Sequence, residues 1–161
     1  MSIASFPVRR AHPLRLVLTG GVLAGALDIT YACLFWRIKA GLPASRIFQS
    51  VAAGLLGTAS FKGGTATAWL GLGLHFFIAG CMALGYYLAA RRWPALRHRP
   101  LAYGAVYGLG LYAVMNYLVV PLSAARGGSR DPLWIGLSVL VHMFLIGVPI
   151  AWLSGRAATQ D

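Results

Sequence analysis

A chain of 161 residues with 58% hydrophobic and only 11% charged residues departs from soluble domains, which carry about a quarter charged residues. Its mean hydropathy of +0.70 excludes a disordered chain, and so little charge cannot coat a soluble surface. The formal net charge of +11 does not point to nucleic acid, because the basic residues sit between long apolar runs rather than along one face.

Four segments are long and apolar enough to cross a bilayer, which takes about 20 helical residues. None shows the alternation of a barrel strand, and lipid offers backbone groups no partner, so helices are the expected solution. The expected fold is all-α: one transmembrane domain over residues 1–161, an integral membrane four-helix bundle with a short interfacial or re-entrant helix between the first two spans.

The first span, Leu16–Trp36, follows a basic region of Arg9, Arg10 and Arg15. Ala24-Gly25-Ala26 has the form of a signal cleavage site, but the apolar run continues unbroken to Trp36, longer than a signal core, so the segment is expected to remain as a span. Gly21, Gly25, Asp28 and Ala32 fall on one stripe of this helix. Pro43–Gly64 is too short for a further crossing. A helix over about residues 44–58 is predicted there, with Ser45 as its N-cap and Gly63-Gly64 as its stop. Ile47, Phe48, Val51, Ala52, Leu55 and Ala59 share its apolar face, and it is expected to pack on the outside of the bundle.

The second span, Ala66–Ala90, carries Gly71, His75, Ala79 and Ala83 on one stripe. After the basic cluster Arg91–Arg99, the third span, Leu101–Val120, brings Gly104 and Gly108, then Tyr112 and Asn116. The fourth, Leu133–Leu153, holds Ser138, His142 and Pro149, whose ring frees a carbonyl one turn earlier. Trp36, Trp69, Trp93, Trp134 and Trp152 all fall at or just beyond span ends, the level indole rings favour. Cys33 and Cys81 lie at different depths in their spans and read as packing residues rather than a disulfide.

With four spans both termini share a side. Arg9, Arg10, Arg15, Arg91, Arg92, Arg97, Arg99 and Arg156 lie on that side, against Arg37, Lys39, Arg46, Lys62, Arg126 and Arg130 on the other. Eight against six places the termini inside by the positive-inside rule. The loops 40–62 and 124–130 should then share the outer side.

Each span holds one residue that hydrocarbon tolerates badly: Asp28, His75, Asn116 and His142. An aspartate at a span centre costs roughly 2.5–3.5 kcal/mol, so such residues face inward and mark function. At 1.5 Å per residue, Asp28, His75 and His142 share a level roughly 12–13 Å below the outer span ends, with Asn116 about 6 Å below its own. The small-residue stripes place Asp28 and His75 between helices. Asp28 is therefore expected within hydrogen-bond reach of His75 or His142, or of both through a water.

Two uses of these four residues compete. An Asp–His group in a low-dielectric site can titrate near neutral pH, which points to a small transporter or proton- or ion-handling protein. The alternative is a non-catalytic bundle acting through partners or as an oligomer, with the polar residues as hydrogen-bonded glue. Haem or zinc ligation by the histidines has no signature beyond residue type, so no cofactor or metal is expected. No phosphate loop, nucleophile elbow or carboxylate pair is present, and no enzymatic activity is expected. The expected partners are the lipid bilayer and either a second copy or another membrane protein.

The run from His75 through Gly85-Tyr86-Tyr87, Trp93-Pro94 and the glycine-rich third span to Pro121-Leu122 resembles the YagU-like bacterial inner-membrane proteins. Gly20-Gly21, Ala24-Gly25 and His142-Met143 match as well. The resemblance covers most of the chain and implies a four-span bundle of unknown biochemical function in the bacterial inner membrane. The first loop is compact here, which puts in doubt any function housed in a longer one, and no catalytic residue carries over.

Overall fold

The computed structural model describes residues 12–125 and 127–159. Arg9, Arg10 and Arg126, which enter the charge count above, lie outside the described residues. Four helices are long and apolar enough to cross a membrane: α1 (Pro13–Ala40), α3 (Gly64–Arg92), α4 (Pro100–Leu122) and α5 (Pro132–Ala157). Each contains the corresponding predicted span. A shorter helix, α2 (Ala44–Leu56), follows α1, and a 3-10 segment, Gly57–Lys62, leads into α3. A single turn, Ala95–His98, joins α3 to α4.

The ends of the helices define two faces. The loop face carries residues 41–63 and 123–131, tied together by the Ala124 amide donating to the Gly54 carbonyl at 3.0 Å and by the Lys39–Asp131 ion pair at 2.6 Å. The terminal face carries the Arg91–Arg99 turn and both ends of the described chain. There the Arg97 guanidinium donates to the Ala90 and Arg91 carbonyls at 2.8 and 3.2 Å, closing the C-terminus of α3.

Small residues make up much of the interior and most large ones face out, as expected where lipid replaces water outside. Ala24, Ala83 and Ala90 are fully buried beside Tyr86 and Ile150, while Phe77 and Val106 stand 68% and 69% exposed. A Cβ added at Gly21 would lie 3.0 Å from Gly80 Cα, so α1 and α3 touch nearly backbone to backbone. The α4–α5 contact is closer still. A Cβ at Gly108 would overlap the His142 carbonyl oxygen, and one at Gly147 would overlap the Gly104 carbonyl.

Sequential spans pair in two cases, α1 with α3 and α4 with α5. The last segment of α5, Val148–Ala157, is wedged against α1, α3 and α4 together. Its first segment, Pro132–Val141, makes only sparse contact with α1 and α4 and no substantial contact with α3. The bundle is thus tight towards the terminal face and splayed towards the loop face. The change falls where α5 widens into a π-helical stretch, His142–Gly147. Pro149 offers no amide to the Leu145 carbonyl and its ring crowds that oxygen, so the preceding turn opens. Pro121 stands in the same relation to the π-helical stretch Met115–Val119 of α4.

Three local expectations are corrected. Pro43, not Ser45, occupies the N-cap of α2, and no side chain caps it, because Pro43 already holds the extended conformation that the entry needs. The helix stops at Gly57, whose φ of 59° only glycine adopts readily, rather than at Gly63-Gly64. Its buried side is Ile47, Gln49, Ala52 and Ala53, while Leu55 is 63% exposed. The face rotates because Gln49 finds partners, donating to the Gly64 carbonyl at 2.9 Å and lying 3.5 Å from the Thr67 hydroxyl. Gly71 accordingly serves α2 and not α1: a Cβ there would overlap the Phe48 carbonyl.

The tryptophans divide. Trp69, Trp93 and Trp152 are exposed at helix ends, with Arg156 stacked 4.0 Å over the Trp152 ring. Trp36 and Trp134 instead meet each other between α1 and α5 at 5.4 Å. Cys33 and Cys81 are free thiols.

Candidate functional site

Asp28 stands on α1 one turn beyond Gly25, where the small-residue contact with α3 ends. His75 on α3 reaches across this contact, its Nε2 lying 2.8 Å from the Gly25 carbonyl oxygen. His142 opens the π-helical stretch of α5, and its Nδ1 lies 2.9 Å from the Ser138 carbonyl on its own helix. The His142 ring meets Tyr112 of α4 edge to face at 5.3 Å. Both imidazoles lie within electrostatic reach of the partly buried Asp28 carboxylate.

The expected direct hydrogen bond is absent. Among the described residues no hydrogen bond or ion pair joins Asp28 to His75 or His142; the Lys39–Asp131 pair is the salt bridge present. Each imidazole is instead drawn to a backbone carbonyl. The Ser138 carbonyl already accepts the His142 backbone amide, so the His142 side chain adds a second bond to an oxygen of its own helix.

This arrangement fixes the tautomers. A carbonyl oxygen can only accept, so the facing ring nitrogen must donate. His75 is therefore the Nε2–H form and His142 the Nδ1–H form. The nitrogens not turned to a carbonyl are His75 Nδ1 and His142 Nε2.

Asn116 does not join this group. Its amide donates to the Tyr112 carbonyl of its own helix at 2.9 Å, and its Oδ1 faces Gly128 of the third loop. No group of three His, Cys, Asp or Glu residues converges among the described residues in a way that could hold a metal ion.

Tyr31 belongs to the site and was missed in the sequence. It lies one turn from Asp28 towards the loop face, within electrostatic reach of Asp28 and Tyr112. Its hydroxyl sits 3.3 Å from Ser138 Oγ and 3.5 Å from the Trp134 carbonyl, and its ring stacks on Trp134 at 5.2 Å and 9°. Ser138 thereby holds Tyr31 through its hydroxyl and His142 through its carbonyl. The signal was the three-residue spacing from Asp28, which puts both side chains on neighbouring faces of one helix.

Family models, curated proteins and solved structures give no match to this chain.

Proposed function

We propose that the protein is a small transporter or proton-handling protein of the bacterial inner membrane, built around Asp28, His75 and His142. The supporting observation is the disposition of the two imidazoles: each bonds a backbone carbonyl through one nitrogen, and Asp28 lies within electrostatic reach of both and is bonded to neither. Here the carboxylate stays outside both imidazole hydrogen bonds.

A location in the inner membrane accords with the resemblance to YagU-like proteins. Termini on the cytoplasmic side accord with the charge distribution. The described residues of the terminal face include Arg15, Arg91, Arg92, Arg97, Arg99 and Arg156 and no acid, whereas on the loop face Asp131 neutralises Lys39. The chemistry proposed is movement of a proton, not catalysis. The second reading, a bundle whose polar residues are structural, draws support from the His75–Gly25 bond, which ties α3 to α1.

Purified protein in liposomes loaded with a pH-sensitive dye separates the two readings. A potassium diffusion potential should drive proton flux through the wild type, and Asp28→Asn and His142→Ala should abolish it at unchanged folded yield. Wild-type flux equal to that of empty liposomes refutes proton handling, as does an Asp28→Asn variant that conducts normally. Loss of folded yield in His75→Ala alone would assign that residue to the structural role.

A further inference from the structure

The splay of the bundle gives the site a direction. Between Asp28 and the terminal face, α1, α3, α4 and α5 converge on a core of Val17, Ala24, Ala83, Ile150 and Ala151, none more than 3% exposed. The hydroxyls in this half lead nowhere: Ser154 Oγ is buried without a hydrogen-bond partner, Tyr86 donates to the Leu96 carbonyl, and Tyr107 donates to the Met82 carbonyl. Towards the loop face the helices part, and polar groups continue from the site. Ser138 follows His142, Tyr31 follows Ser138, and the Lys39–Asp131 pair lies beyond.

Aromatic rings fill this wider half. Trp134 of α5 packs on Tyr31, Phe35 and Trp36 of α1, with centroids 5.2, 5.0 and 5.4 Å away. Tyr31 is the ring nearest Asp28 along α1, and its two hydrogen bonds are long. At 3.3 and 3.5 Å they lie beyond the usual 2.5–3.0 Å of hydroxyl bonds, so the hydroxyl is held weakly and the stack on Trp134 is the main restraint on the ring.

We propose that Asp28 exchanges its proton with the loop face alone, past a gate formed by the Tyr31 ring stacked on Trp134, while the close-packed half of the bundle seals the terminal face. The inference deepens the proton-handling reading and rests on it for its meaning, but the access itself is measurable without transport. In the closed arrangement the stacked rings stand on the loop-face side of Asp28. Rotation of Tyr31 away from Trp134 and Ser138 opens a path that ends blind at the apolar core.

A membrane-impermeant, water-soluble carbodiimide with an amine nucleophile, applied to one side of sealed vesicles, reads this directly by mass spectrometry of the Asp28 peptide. Asp131, at the loop face, reports which face the reagent has reached. Asp28 should be modified from the loop face only. Tyr31→Ala should raise that rate at least tenfold, and Tyr31→Phe, which keeps the ring, should change it less than threefold. Trp134→Ala removes the other half of the stack and should act as Tyr31→Ala does, which covers the case in which one variant fails to fold. Modification from the terminal face, equal rates from both faces, no modification even with the gate removed, or rates unmoved by both alanine variants would each overturn the proposal. Loop-face modification without proton flux leaves the gate standing and sinks the proton-handling reading. Flux with two-sided modification does the reverse.

Discussion

Replacing Gly108 by alanine tests whether the α4–α5 contact positions His142. The added Cβ would overlap the His142 carbonyl oxygen and lie 2.6 and 2.7 Å from His142 C and Met143 Cα. These are backbone atoms, so no rotamer change relieves them, and restoring ordinary contact at 3.4 Å or more requires the helices to part by roughly 1.5 Å. Overpacking of this kind costs about 1–3 kcal/mol, and a contact made wholly with backbone belongs at the upper end. Gly110, two residues on, has nothing within 4 Å of its added Cβ. Gly110→Ala therefore carries the same gain in helix propensity, about 0.5–1 kcal/mol, without the clash. The gap between the two variants should be about 2–3 kcal/mol, a factor of thirty or more in the folding equilibrium. Unfolding of the detergent-solubilised protein by titration with a denaturing surfactant measures it. Gly104→Ala, whose Cβ would lie 2.7 Å from Val148 Cα, should side with Gly108→Ala. Equal stability of the Gly108 and Gly110 variants would refute the close approach, and with it the account of how His142 is held.

The Asp131 carboxyl is held below its ordinary value of 3.8 by the Lys39 hydrogen bond first and the Trp134 amide second. A depressed folded value contributes stability above that ordinary value that is lost as pH falls through the folded one. Melting temperature should therefore fall more steeply below pH 4 in the wild type than in Asp131→Asn; identical slopes would remove the pair's contribution. Gln49→Leu keeps the volume but abandons the Gly64 carbonyl, and should cost about 1 kcal/mol in the same unfolding titration, with no loss taken as contradiction. Arg97→Ala frees the Ala90 and Arg91 carbonyls together and should cost about 1 kcal/mol, while Arg97→Lys, lacking the planar fork, should recover only part of it. Full recovery by lysine would mean that charge alone is at work.

The four spans were legible because lipid imposes a length and a composition, and nothing in the tertiary structure competes with those demands. The small-residue stripes were legible for a related reason. Gly21 and Gly25 on α1, and Gly104 and Gly108 on α4, mark contacts that only a missing Cβ permits. Stripes do not name their partners, however. Gly71 looked continuous with His75 and Ala79, yet it receives α2, because a stripe long enough to meet two helices meets them at different heights. The burial of Gln49 was hidden by its polarity. A Gln face is buried only when acceptors are waiting, and here the Gly64 carbonyl, which the Thr67 hydroxyl also reaches, takes the Gln49 amide.

The site was half legible. Depth along the helices put Asp28, His75 and His142 at one level. Depth did not reveal what each imidazole would prefer. A carboxylate and an imidazole at one level invite a direct bond, but a backbone carbonyl one turn away on the same helix, or exposed by glycine on the next, competes at no cost in chain entropy. His75 reaches the Gly25 carbonyl because Gly25 brings α1 and α3 together, and His142 reaches the Ser138 carbonyl one turn back on its own helix, an oxygen that its backbone amide also bonds. Gly25 is the closest residue on its stripe to Asp28, and Pro149 stands seven residues after His142, as Pro121 stands five after Asn116. A proline in a spanning helix, read as an opened turn upstream rather than as a lone missing bond, would have marked where α5 widens at His142. It would also have placed the widening of the bundle at the level of the carboxylate. The same geometry that turns both imidazoles to carbonyls leaves Asp28 unbonded to either, with a splayed, aromatic-filled half of the bundle above it.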